Sequence, residues 1–416
     1  MERHAQKSEF QERSEFMKKS WIAFLTMVLC TILISPGWAA HKIGFVASIT
    51  GPASWLGEPQ KNTALMLQEW INAAGGIKGV PIEIVIEDSK GMEADAVLAT
   101  KKLIEKDNVL VVIGSSTTGE SMAMVPICEQ AQTPMISMAA ALSIVTPEDE
   151  TKRMETSATP WLEVPKKQRY WVFKVAPPDA SAVEKIYLYC QAKQIKKVAI
   201  ITVSAGYGVE GRRQLKRLAP KYGIEIVADE LYGPRDTDMT VQLTKIKASP
   251  AQAVINWSVG PPQVIVTKNW ADLGMRGKIP LIQSHGFGSK SNIKLAGGAA
   301  EGVITPLGRV LYAEKVDPKN PQKEVILKYK TEYEKRFKSD VSTFGGHAYD
   351  AIMMVADALK AVGPDKKQIR DYLETRLRYW PGTGGMYNMS PTDHTGFGAD
   401  GFEMIEVVKG EWEFAK

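Results

Sequence analysis

The sequence predicts an α/β protein of two lobes, each a doubly wound parallel sheet, and three observations carry that reading. Short buried apolar runs alternate with amphipathic helical stretches along most of the chain. The alternation falls into two sets that meet near Pro177, which argues two open sheets rather than one closed barrel. At 416 residues the chain is long for one domain and suits two.

Residues 1–39 are set apart as a targeting segment. Met17-Lys-Lys-Ser precedes an apolar run from Trp21 to Ile34, followed by small residues up to Ala40, the pattern of a cleavable secretory signal. The run is shorter than the ~20 residues of a spanning helix. Met17 offers itself as an alternative start. The formal charge is +5, and basic residues are scattered, so no nucleic-acid footprint is present. Cys30 lies in the signal segment. Cys128 and Cys190 fall on separate predicted helices, and their pairing is open from the sequence. No His/Cys cluster accompanies them, so no metal is expected, and no cofactor either.

In the first set, a strand over 43–50 leads to a helix over 58–74 that stops at Gly75-Gly76. A strand over 81–87, a helix over 93–105 and a strand over 109–114 follow. The turn Gly114-Ser-Ser-Thr-Thr-Gly119 opens a helix over 120–131, with Pro126 inside it, and Thr133 to Ala141 begins with another strand. That turn aims hydroxyls and free N–H groups at one spot, where a small anion is favoured. Thr117 and Thr118 are therefore candidates for anion binding, or simply caps. No Lys follows the glycine turn, which argues against a nucleotide phosphate loop. Residues 148–167 are charged, lack an apolar period and contain Pro160 and Pro165; they read as a surface insertion. A strand over 170–176 ends the set.

The second set has helices over 180–193, 239–248 and 262–273, and one opened by Ser204-Ala-Gly-Tyr-Gly208. Its strands fall over 198–203, 225–231, 253–257 and 279–285. The tail differs. Helices over 324–337, 346–361 and 367–376 come without strands between them and are expected to return to the first sheet. The segments 385–389 and 402–408 read as a hairpin turning at Asp393-His-Thr-Gly396.

Several of these residues carry a resemblance. Thr50-Gly-Pro52, Asn72-Ala-Ala-Gly-Gly-Ile77, Val112-Ile-Gly114, Thr133-Pro-Met-Ile-Ser137 and Ser204-Ala-Gly-Tyr-Gly208 resemble the branched-chain amino-acid binding proteins of ABC importers. Ser342-Thr-Phe-Gly-Gly-His-Ala-Tyr-Asp350 and Asn388-Met-Ser-Pro-Thr-Asp-His-Thr-Gly396 are more similar to members that bind aromatic carboxylates. The resemblance implies a type I periplasmic binding protein with three crossovers near Ala176, Thr305 and Gly382. Lobe one would comprise 40–176 plus 306–382, and lobe two 177–305 plus 383–416. It implies a monomer in the periplasm that holds a small carboxylate or amino acid between its lobes and delivers it to a membrane permease.

The family's ligand positions fall on Thr118, Ala139 and Ala140, with Ala141 where a hydroxyl residue is common, and on Tyr207 in lobe two. Two departures bear on the ligand. His285 stands where amino-acid binders place an acidic residue for the ammonium, and a histidine cannot replace it. Gly260 replaces a frequent tyrosine and would enlarge the pocket. Both point towards a flatter, larger acid, on which Trp55 would stack. His347, Asp350 and His394 read as structural. No catalytic constellation is found and no enzyme is expected; a secreted enzyme, a sensory receptor on the same fold and a hydrophobic amino acid as ligand remain the alternatives.

Overall fold

The computed structural model describes residues 40–416; the targeting segment 1–39 lies outside the described residues. Five parallel strands build the first sheet: β1 (His41–Ala47), β2 (Ile82–Asp88), β3 (Val111–Gly114), β4 (Met135–Ser137) and β5 (Val172–Lys174), in the order β2-β1-β3-β4-β5. Seven build the second. Its strands β6 (Lys197–Val203), β7 (Glu225–Tyr232), β8 (Ala253–Trp257), β9 (Leu281–Gln283) and β10 (Ile304–Gly308) are parallel, in the order β10-β9-β8-β6-β7. A two-stranded ribbon, β11 (Trp380–Pro381) with β12 (Met386–Tyr387), precedes the last pair, β13 (Phe402–Val408) and β14 (Glu411–Phe414). These two add antiparallel at the β10 edge. Every residue of β3 and β8 is buried, as continuous apolar runs in covered parallel strands should be. β7, at the sheet edge, keeps most of its residues half-exposed.

The helices are α1 (Ser54–Ala73), α2 (Glu93–Glu105), α3 (Thr118–Gln130), α4 (Glu148–Glu155), α5 (Asp179–Ala192), α6 (Gly206–Leu218), α7 (Thr240–Ala248), α8 (Pro261–Asp272), α9 (Lys290–Ala296), α10 (Lys323–Phe337), α11 (Thr343–Val362) and α12 (Lys366–Arg376). The three strandless helices of the tail sit against the first set. Tyr329 on α10 shares a hydrogen bond of 2.8 Å with Thr63 on α1. A Cβ at Gly345 on α11 would lie 2.4 Å from the Tyr329 hydroxyl, so only glycine lets these helices close up. The architecture is two doubly wound lobes joined by three crossovers.

Four sequence expectations need correction. Helix α1 starts at Ser54, a turn before the expected Glu58, with Pro59 inside it. Gly57 anchors that extra turn, because a Cβ there would meet the Ser48 carbonyl at 2.1 Å. Residues 148–167 hold a helix, α4, whose Arg153 clasps the buried Glu150 at 2.7 and 3.0 Å. The final hairpin pairs 402–408 with 411–414, not with 385–389. Its turn is Lys409-Gly410, both at positive φ, the two-residue turn that matches strand twist. The Asp393 turn instead closes a loop, its carboxylate accepting from Thr395 and Gly396 N–H. Last, 304–308 forms a strand that the sequence reading leaves out, β10, and it pairs within the second sheet through Gly308.

Candidate functional site

In open parallel sheets a ligand sits outside the carboxyl ends of the strands. Here the ends of both sheets face one cavity of about 370 Å³, within the roughly 300–1,000 Å³ of small-molecule pockets. Its first wall comes from the loops after β3 and β4: Ser116 to Gly119 and Met138 to Ala140. Its second comes from the loops after β6, β8 and β9: Ala205 to Tyr207, Val259, and His285 with Gly286. Phe344 and His347 of α11, with Phe402, complete an aromatic lining.

Helix α3 begins at the first wall. Thr117 is its N-cap, accepting from Glu120 N–H at 3.4 Å and donating to the Glu120 carboxylate at 2.7 Å. Glu120 in turn accepts from the Ser48 hydroxyl at 2.8 Å, and Ser116 bridges Gln60 and the Ser48 N–H. Thr117 is thus committed to the cap. Thr118, one residue into the helix, has a hydroxyl with no protein partner among the described residues.

The second wall mirrors this. Helix α6 begins at Gly206, and a Cβ there would lie 3.3 Å from Thr118 Cγ2. Two helix N-termini therefore meet across the cavity, each carrying about half a positive charge and free N–H groups. Behind Tyr207, Trp257 lies under α6 where Gly211 leaves it room, since a Cβ would sit 2.0 Å from the indole. The Tyr207 hydroxyl is 3.2 Å from His285 Nδ1. His285 packs edge-on against Tyr207 and Trp257, with ring centres 5.6 and 5.8 Å away.

His285 and His347 are 8% and 6% exposed. Burial lowers each imidazole to about 3, and for His285 the neighbouring His347 and then Lys174 add to the effect. Both are neutral at pH 7. Lys174 is fully buried at the end of β5, its ammonium donating to the Ala176 carbonyl.

Of the expected site residues, Thr117, Thr118, Ala139, Ala140, Tyr207 and His285 are brought together on the lining. Trp55, Ala141 and Gly260 are not. Ala141 is fully buried in a small apolar cluster beneath α3. The Ala139 N–H is already bonded to Ser137 Oγ at 3.1 Å, which leaves the Ala140 N–H the freer of the two. Gly260 does not enlarge the cavity. A Cβ there would lie 2.6 Å from the Trp55 ring, so the glycine gives way to a tryptophan from the opposite lobe. Trp55 in turn meets Phe344 edge-on, 5.2 Å between centres, rather than a ligand face.

Sequence reasoning missed Phe344, Phe402 and His347. The run Ser342 to Asp350 held the signal, but polar residues at a helix start usually cap it, and only Ser342 does so here. Asp350 is structural: it accepts from Thr383 and Gly384 N–H at 2.6 and 2.9 Å and from the Tyr387 hydroxyl. His394 is structural too, stacked on Phe173 and bonded to the Val172 carbonyl at 2.8 Å. Cys128 and Cys190 are buried free thiols. Among the described residues no group of His, Cys, Asp or Glu could hold a metal ion, and no helix is long and apolar enough to cross a membrane.

The model of a family described as periplasmic binding protein matches residues 40–410. The chain belongs to the periplasmic binding protein family. The family implies an extracytoplasmic location. The chain is 23% identical over 346 residues to the leucine-, isoleucine-, valine-, threonine-, and alanine-binding protein of Pseudomonas aeruginosa, covering 83% of this chain and 84% of that protein. Among solved structures it is similar to an extracellular ligand-binding receptor from Rhodopseudomonas palustris HaA2. That likeness has a TM-score of 0.79 at 30% identity, over 91% of this chain and 100% of that one. The Streptococcus pneumoniae branched-chain amino acid transporter substrate binding protein LivJ, in complex with isoleucine, shares the fold at a TM-score of 0.73 and 24% identity, over 91% of this chain and 99% of that one. This periplasmic binding protein is thus of the branched-chain amino-acid type in its relatives and type I in its fold.

Proposed function

We propose that this periplasmic binding protein is the solute receptor of an ABC uptake system and that it holds a small aromatic carboxylate between its lobes. The observation that carries the reading is the meeting of the α3 and α6 N-termini at Thr118 and Gly206. Two such termini favour an anion, and the rest of the lining is largely ring and methyl. The carboxylate then lies on the Thr118 hydroxyl and the N–H groups of Thr118 and Ala140. The ring lies among Phe344, Phe402, Tyr207 and His285. We take the lobes as 40–176 with 309–382 and 177–308 with 383–416, so that closure brings their faces together. A membrane permease reads the closed form, and the balance of open and closed forms shifts as far as the ligand prefers the closed one. Residues 1–39 direct the chain out of the cytoplasm as a cleavable signal.

One observation favours a second reading. Glu93, exposed at the cavity rim, is an acidic lining residue, and its carboxylate stands where a Cβ of Gly119 would be, 2.4 Å away. It could receive the ammonium of an amino acid held by the same helix ends, as the names of the relatives would have it. A thermal-shift screen of the mature protein against benzoate, cinnamate, leucine and isoleucine separates the two. Stabilisation by an aromatic acid is expected. A response to the aliphatic amino acids alone would overturn the aromatic reading and leave the receptor reading standing.

A further inference from the structure

Buried polar atoms almost always have hydrogen-bond partners, so those without one ask for an explanation. Among the cavity-lining residues, His285 Nε2, His347 Nδ1 and Thr383 Oγ1 are buried and unpartnered. Thr383 stands beside the first turn of α11, where a Cβ of Gly346 would meet its hydroxyl at 2.6 Å, and its side chain acts on the structural carboxylate of Asp350. His285 keeps one nitrogen on Tyr207. For His347, the Met138 backbone is close enough to favour the protonated ring, while Nδ1 meets no protein group in hydrogen-bond geometry among the described residues. Its Nδ1 is sealed in the wall of the cavity that the side chain lines.

We infer that His347, with His285 beside it, is a specificity-determining residue that hydrogen-bonds a hydroxyl carried by the bound acid away from its carboxylate. The inference rests on the aromatic-carboxylate reading and extends it to the far end of the ligand. A neutral imidazole offers one N–H and one bare nitrogen. A hydroxyl both donates and accepts, so it satisfies the ring in either tautomer, whereas an ether or a methyl does not. A cation is disfavoured there, because the buried Lys174 already acts on both rings. A second carboxylate gains little, because Asp179, Asp393 and Glu210 already act on Lys174. Asp179 is itself fully buried and held by Trp257 Nε1 at 2.9 Å. A neutral donor–acceptor group remains.

The test compares 4-hydroxybenzoate with benzoate, and 4-hydroxycinnamate with cinnamate, by calorimetry on the mature protein. A site built to hydrogen-bond a hydroxyl discriminates against the analogue lacking it. The hydroxylated acid of at least one pair is expected to bind about tenfold or more tighter than its parent. In His347→Leu the ratio is expected to fall near one. Long-range proton–nitrogen NMR on the wild-type protein gives a second readout that needs no variant: the hydroxylated acid should shift the His347 ring nitrogens and the parent acid should not. Tight binding of both acids without preference, an unchanged ratio in the variant, or tighter binding of terephthalate overturns the inference while leaving the aromatic reading intact. Binding of leucine with no response to any aromatic acid sinks both.

Discussion

The α3 wall of the cavity and its histidines hold their polar groups in different ways. At the α3 end the hydroxyls are wired into the protein: Ser116 to Gln60 and Ser48, Thr117 to Glu120, Ser121 to Ser137. What is left for a ligand is backbone N–H and one threonine, all fixed by the helix itself. At the histidine end the groups are side chains, neutral through burial and short of partners. The first end suits a group common to many ligands and needs no adjustment to take it. The second can be satisfied only by a ligand of the right chemistry. Pre-organisation supplies affinity at one end, and the penalty for leaving a buried atom unpaired supplies selectivity at the other.

That division can be broken experimentally. The largest effect is expected from Gly260→Ala, which acts on both ends at once. Gly260 has φ +79°, and its Cβ would enter the Trp55 ring at 2.6 Å. The backbone strain alone is about 1–3 kcal/mol. Because the clash lies between lobes, it should oppose closure: every ligand should bind at least tenfold more weakly in calorimetry, with little change in the ratios between ligands. A changed ratio would mean that Gly260 acts on the ligand directly.

Next comes Thr118→Ala. A hydrogen bond to a charged group is worth about 1.5–3 kcal/mol, so carboxylate affinity should fall about tenfold or more. The factor should be the same for hydroxylated and unsubstituted acids, since the loss is at the shared end. Unchanged affinity would remove Thr118 from the site.

The smallest effect is on pH, and it sharpens the histidine end. Both imidazoles have folded-state pKa values near 3, depressed from 6.5. The unfolded chain therefore takes up protons first as pH falls. Their contribution to stability is complete above about pH 6.5 and is lost progressively as pH drops towards 3. Melting temperatures of the ligand-free protein should decline over that window, and less steeply in His347→Leu. Identical slopes would show that other groups dominate acid unfolding.

Much of this was legible beforehand, for physical reasons that also mark where legibility stops. Strands such as β8, buried on both faces, announce themselves as unbroken apolar runs, and helices such as α2 by their period. The hairpin turn at Lys409-Gly410 was missed, because the strand after it, Glu-Trp-Glu-Phe, buries only Trp412 and hides among charges. Thr117, Thr118 and Tyr207 follow strand ends, which chain order locates. Trp55, Gly260 and Ala141 also follow strand ends, yet whether a residue lines the cavity or packs beside it depends on its facing neighbour. For Trp55 and Gly260 that neighbour lies in the other lobe. His347 was hidden for the same reason: nothing local says that the first turn of α11 looks into the cleft.

The contact between Trp55 and Gly260 has an optical side. An indole half-buried against the opposite lobe changes surroundings whenever the lobes part. Its emission should move to shorter wavelength as ligand draws the cleft shut, so that one native tryptophan reports occupancy without any label. Trp55→Phe should silence that signal while the remaining tryptophans continue to fluoresce.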